Sequence, residues 1–202
     1  NTITPWNDRK PRVGFSARWD QEKQPDFYMD LIDAYFERHP NSGIEFCVCS
    51  GAKLRSNNDS YMDRTYDLQK RGLLTVYEDL EKNEYYSLLD DSRVLFNCAL
   101  QDWVSNTVSE ADTLGCNVLY PAYRSFPETF SNDADRLYVP WSVDDAITKL
   151  IPLLKKPHQN MGKISDHNNG TIDRICDILE GKGEHMLRMS KDYRKYTREN
   201  KY

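Results

Sequence analysis

A chain of 202 residues with a formal charge of −5 can enclose a substantial core, and its mild acidity argues against binding nucleic acid over its whole surface. Hydrophobic residues make up 39% and charged residues 29%, a globular balance that excludes a disordered chain. No apolar run approaches the roughly 20 residues of a bilayer-spanning helix, and NTITPWNDRK lacks the apolar stretch of a secretory signal. The chain begins at Asn1 rather than Met, which fits a processed chain or a piece of a longer protein. The cysteines Cys47, Cys49, Cys98, Cys116 and Cys176 are odd in number and follow no framework spacing. They read as reduced thiols in a cytoplasmic compartment. Cys47 and Cys49, two apart in a strand, point to one face and read as core.

Residues 1–11 are polar, carry Pro5 and Pro11, and read as a linker. RVGFS, residues 12–16, is a first strand. In PDFYMDLIDAYFERHP, Phe27, Leu31, Ile32, Tyr35 and Phe36 recur at helical spacing, with Asp26 as the expected N-cap and Pro40 as the stop. GIEFCVCS is a second strand ending at Ser50-Gly51, and SYMDRTYDLQKRG is a helix closed by Gly72. LLTVYED is a third strand, NEYYSLLDDS a short helix and RVLFNCA a fourth strand. SNTVSEADTLG is a helix ending at Gly115, NVLYPAY a fifth strand and RLYVP a short sixth. SVDDAITKLIPLLKK is an amphipathic helix capped by Ser142, and further helices are expected in GTIDRICDILEGKG and in the basic end. Alternating strands and helices specify an α/β, Rossmann-like parallel sheet with helices on both faces over 12–156, followed by a helical C-terminal extension over 157–202.

In such a sheet, ligands sit beyond the carboxyl ends of the strands. After the first strand, Arg18 and Lys23 lie in the loop before a helix, where amides already favour anions. Arg18 can grip two phosphate oxygens and Lys23 adds a point charge, so a diphosphate is the natural guest. Surface pairing with Asp20 and Glu22 is the bland alternative. After the fourth strand, Asp102 lies in the loop and Glu110 along the next helix; carboxylates there suit sugar diols. A capping acid and an exposed helix acid is the bland reading of the same spacing. No G-x-G-x-x-G follows VGFSAR, which argues against a dinucleotide oxidoreductase. Asp133-Ala134-Asp135 in a polar loop reads as a turn. The basic, aromatic tail from His185 could contact phosphate or bases, but a solvated helix is the commoner use of such a run.

Taken in order, these segments resemble the C-terminal, nucleotide-sugar-binding domain of retaining GT-B glycosyltransferases. That family places Gly-Arg after its first strand, a Lys five residues on and often a Gly next; here these are Ala17, Arg18, Lys23 and Gln24. Its two acids around seven residues are matched by Asp102 and Glu110, within SEADTLGCNVLYPAY. Its later loop, acid, strand and helix are matched by RSFPETFSNDADRLYVPWSVDDAITKLIPLL, with Glu128 as the acid and Arg124-Ser125 where the family has Gly-Gly. The resemblance runs from about Arg12 to Leu154.

The resemblance implies transfer of a hexose from a nucleoside-diphosphate sugar with retention and no metal requirement or other cofactor. Arg18 and Lys23 would bind and stabilise the diphosphate. Asp102 would meet the hexose, and amides from Trp103, Val104 and Ser105 would hold sugar or phosphate. Glu110 would bind the ribose, with Tyr77 and Glu78 near the base and Ser50 at the same edge. The family's N-terminal acceptor-binding domain has no counterpart here. Donor binding with poor transfer is therefore expected of the chain alone, to an acceptor that could be glycan, lipid, protein or DNA base. His39, His158, His167 and His185 fall outside the matched motifs. Two other readings stay open: a non-catalytic nucleotide- or ligand-binding module on the same sheet, and an interaction domain with a basic tail.

Overall fold

A computed structural model describes residues 3–100, 102, 105–130 and 133–159, with the backbone alone for Glu128 and Thr129. The chain divides after Met161, and its second unit, Gly162–Tyr202, lies outside the described residues together with the helices expected there.

Six strands and six helices alternate: β1 (Lys10–Phe15), α1 (Pro25–Arg38), β2 (Glu45–Cys49), α2 (Asp59–Lys70), β3 (Thr75–Tyr77), α3 (Lys82–Asp90), β4 (Ser92–Phe96), α4 (Asn106–Thr113), β5 (Asn117–Pro121), α5 (Phe126–Thr129), β6 (Leu137–Tyr138) and α6 (Val143–Leu153). All strand pairs are parallel, in the order β3-β2-β1-β4-β5-β6. This is the doubly wound order, in which the chain reverses direction across the sheet between β1 and β4. Helix α1 contacts both α2 and α6, and α3 contacts α4, which gives the two covering layers.

The strands read as continuous apolar runs because both faces are covered. On one face, Val13, Phe15, Phe46, Val48, Val94 and Phe96 meet α1, α2 and α6. Aromatic rings dominate there: Phe15 stacks on Tyr28 at 4.9 Å, Phe96 on Tyr138 at 5.3 Å and Phe27 on Tyr138 at 5.7 Å. Each such pair adds about 1 kcal/mol beyond its buried area. The Tyr28 hydroxyl donates to the carbonyls of Val13 and Cys47, both at 3.0 Å, so the phenol is not stranded in the core. On the other face, β1 presents Gly14, around which Cys47, Cys49 and Leu95 pack. Cys47 and Cys49 share that face as expected, with Sγ atoms 3.9 Å apart.

Three local features differ from the sequence reading. The segment expected as a linker is docked: the Thr4 amide and hydroxyl reach Asp90. Buried Arg9 donates to the carbonyls of Thr4, Ser92 and Leu114, and β1 starts at Lys10. Helix α1 begins two residues earlier than Asp26 capping implies. Pro25 takes the first helical position, where its missing N–H costs nothing, and Gln24 is the N-cap. The short helix α5 lies where only a loop was expected.

Candidate functional site

Sheets of this order bind ligands in the crevice at the reversal, here between β1 and β4, and the loops after both strands meet there. β4 ends at Phe96, and Asn97 folds the chain back: its side chain accepts from the Ala99 amide at 2.8 Å and donates to Ser105 Oγ at 3.1 Å. The Tyr138 hydroxyl fixes the Asn97 carbonyl at 2.9 Å. The returning loop is stapled to the β1–α1 loop by the Leu100 amide on the Glu22 carbonyl at 2.8 Å. Beside that staple the Lys23 ammonium pairs with the Asp102 carboxylate, their side chains only 15% and 18% exposed. The Ser125 hydroxyl, from the loop after β5, donates to the Asp102 carbonyl at 2.9 Å. Thus two residues 79 apart in sequence, each expected at a ligand site, are in direct contact.

Arg18 takes another direction. Its side chain is 70% exposed and pairs with Glu22 and, at 3.5 Å, with Asp20. It lines a cavity of about 430 Å³ between the loops after β1 and β2, together with Asp20, Ser50, Lys53, Arg55 and Asn57. Lys23, Asp102 and Glu110 do not line that cavity. The β1–α1 loop therefore presents one cation to the crevice and one to the cavity.

Glu110, on α4, meets α3: its carboxylate accepts from Lys82 Nζ at 2.8 Å and the Tyr86 hydroxyl at 3.3 Å. Glu110 in turn raises the Lys82 ammonium above its usual value. The nearby Tyr85 hydroxyl is buried beside Ser16 and Glu110, and burial pushes its pKa up. Ser105 is the buried N-cap of α4, and its Oγ also lies 3.0 Å from Thr107 Oγ1. Ser50 follows β2 and lines the cavity.

Two expected base contacts are engaged elsewhere. The Tyr77 hydroxyl donates to Glu45 at 2.7 Å and its ring lies under Arg12. The pleat carries Tyr77 beside Cys49, onto the face that Glu45 shares with Cys47 and Cys49. Burial, then the bond to Glu45, pushes Tyr77 up to about 12. The Glu78 carboxylate accepts from the Leu54 amide at 2.9 Å and so anchors the β2–α2 loop. Trp103 and Val104 lie outside the described residues, as does the Glu128 side chain. Asp133 and Asp135 form the expected turn, with the Asp135 amide on Asp133 Oδ1 at 2.9 Å.

Backbone geometry adds a signal that residue identity hid. Gln24 and Arg124 stand where the resembled family has glycine, and both are left-handed, with φ of 52° and 50°. Such a backbone costs a side-chain-bearing residue about 1–2 kcal/mol, so both loops hold a turn that glycine would suit better. Sequence reasoning missed Asn97, Tyr85, Tyr86, Lys82, Lys53 and Arg55. For the last two, an apolar Leu between two cations was the available cue.

No family model and no curated protein matches the chain. Solved structures do. Staphylococcus aureus TarM (a point mutant in complex with fondaparinux, α-GlcNAc-glycerol and UDP) superposes with a TM-score of 0.61 at 14% identity, over 77% of this chain and 31% of that one. An Escherichia coli trehalose-6-phosphate structure bound with UDP-2-fluoro glucose gives 0.58 at 12%, over 81% and 40%. The catalytic domain of Helicobacter pylori cholesterol-α-glucosyltransferase gives 0.53 at 13%, over 80% and 98%. The chain thus spans under half of the first two. The fold is that of a GT-B glycosyltransferase domain, a Rossmann-like α/β sheet.

Proposed function

We propose that this chain is the donor-binding half of a glycosyltransferase that moves a hexose from a nucleoside-diphosphate sugar with retention. The observation that carries this reading is the Lys23–Asp102 contact in the β1/β4 crevice, which puts a phosphate ligand and a sugar-hydroxyl acceptor side by side. A diphosphate entering the crevice recruits Lys23, and Asp102, released from the ammonium, accepts from the hexose hydroxyls. Glu110 and the buried Tyr85 hydroxyl beside it serve the ribose. In transfer, the bond from the anomeric carbon to the phosphate oxygen breaks, and its electron pair leaves with the nucleoside diphosphate. The acceptor oxygen bonds to the same face, and its proton passes to the departing phosphate. Lys23 and Arg18 stabilise the charge that develops on that leaving group, which is the role a metal plays elsewhere. UDP is the first donor nucleotide to try, because the TarM and E. coli structures hold UDP or a UDP sugar.

Calorimetry with UDP, GDP and their sugars tests the reading. Lys23→Ala and Glu110→Ala weaken nucleotide binding, and the hexose adds affinity that Asp102→Ala abolishes. Equal affinity for nucleotide and nucleotide sugar, unaffected by Asp102→Ala, leaves a non-catalytic binding module. The anomeric configuration of the product, read by NMR once an acceptor domain is supplied, tests retention. Rapid turnover by the isolated chain on an added acceptor overturns the half-enzyme assignment.

A further inference from the structure

The cavity on the other side of the β1–α1 loop holds more positive charge than a donor diphosphate in the crevice uses. Three cations, Arg18, Lys53 and Arg55, line it against one carboxylate, Asp20. Lys53 and Arg55 make no ion pair among the described residues, in a chain whose net charge is −5. Their placement is built in. Leu54 between them is buried, and its amide is held by Glu78 at 2.9 Å. Lys53 and Arg55 on either side are exposed and line the cavity together with Arg18. Ser50, Ser56 and Asn57 add neutral polar groups around the mouth. Charge-assisted donors converging on a concave site of about 430 Å³ suit a phosphate group.

We propose that this cavity is a second anion subsite, for a phosphate group carried by the acceptor. The assignment rests on the donor reading, because it takes the crevice for the donor and leaves the cavity for the other substrate. Arg18, at the divide, is the group through which the two subsites communicate.

Inorganic phosphate, titrated by calorimetry into the whole chain with and without saturating UDP, is the first probe. One phosphate binds with UDP present, and Lys53→Ala/Arg55→Ala weakens it roughly tenfold or more, whereas Glu110→Ala does not. Both cations are exposed, so the double variant folds, and its circular dichroism matches the parent. Unchanged phosphate affinity in the double variant overturns the proposal, and so does strict competition between phosphate and UDP. If UDP fails to bind while phosphate still depends on Lys53 and Arg55, the subsite stands and the donor reading falls. A hexose 6-phosphate and a dinucleotide separate the sources. Tighter binding than free phosphate by the first identifies a phosphomonoester acceptor, and by the second a phosphodiester. No gain with either overturns the acceptor assignment.

Discussion

The two ends of the sheet use arginine in opposite ways. At the amino-terminal end, Arg9 is 2% exposed and donates to three carbonyls and Asp90. Arg12 is gripped by Glu45 and Asp91, and buried Arg136 lies 3.5 Å from Asp112, which also meets His158 at 2.8 Å. At the carboxyl end, Arg18 is held only by carboxylates of its own loop, and Arg55 has no ion pair among the described residues. A guanidinium whose N–H groups are spent on buried carbonyls cannot serve a ligand without unfolding its surroundings. One that is itself 70% exposed exchanges its half-buried carboxylate partners for phosphate at a cost of about 1 kcal/mol or less. Burial of the guanidinium itself, not the residue type, divides architecture from recognition.

Arg9→Ala carries the largest expected effect. It strands three carbonyls at the amino-terminal end of the sheet, and should lower unfolding free energy in urea by about 3 kcal/mol or more. A loss below about 1 kcal/mol would erase the contrast between the two ends. Gly115→Ala comes next. Its φ of 75° is left-handed, and a Cβ would lie 2.8 Å from Arg9 Nη2, so it should cost about 1–3 kcal/mol. Lys23→Ala, in contrast, should change stability by about 1 kcal/mol at most while weakening donor binding about tenfold. A larger stability loss than affinity loss would move Lys23 to the architectural side.

The smallest effect concerns pH. Tyr77, pushed up from 10.0 to about 12, is favoured as the neutral phenol in the fold. Its contribution is therefore complete below pH 10.0 and is lost as pH rises toward 12. Tyr77→Phe removes the bond to Glu45, lowers stability at neutral pH by about 1 kcal/mol and flattens the decline across that window. An equally steep alkaline decline in the variant would take Tyr77 out of the account.

The alternation of strands and helices was legible because periodicity reports burial, and each expected strand through β6 is present. The Ser142 cap and the Gly72 and Gly115 helix ends follow from local chemistry and were equally readable. Side-chain direction was not. Tyr77 sits at the end of a strand whose following loop faces the site, yet the pleat sends its ring the other way. Arg18 and Lys23 sit five apart in one loop, yet their side chains rest in different places, Arg18 in the cavity and Lys23 on Asp102. The docking of residues 4–11 was hidden for a related reason: a polar segment is held by hydrogen bonds from Arg9 and Thr4, which leave no hydrophobic pattern to read.

Gly14 has a further consequence. By leaving room on β1, it lets Cys47 and Cys49 fill the face beside it, where both thiols are buried and hidden from reagent. The contact with Cys49, and then burial, push the Cys47 thiol up. Cys98 is equally hidden, with its pKa raised by burial, but it lies under the site loop and donates to the Lys23 and Gln24 carbonyls at 3.3 Å. The protein thus carries two built-in clocks for thiol labelling. One runs only when the central strands part, and the other when the loop bearing Lys23 lifts. A ligand that clamps that loop should slow the second clock and leave the first to follow global stability.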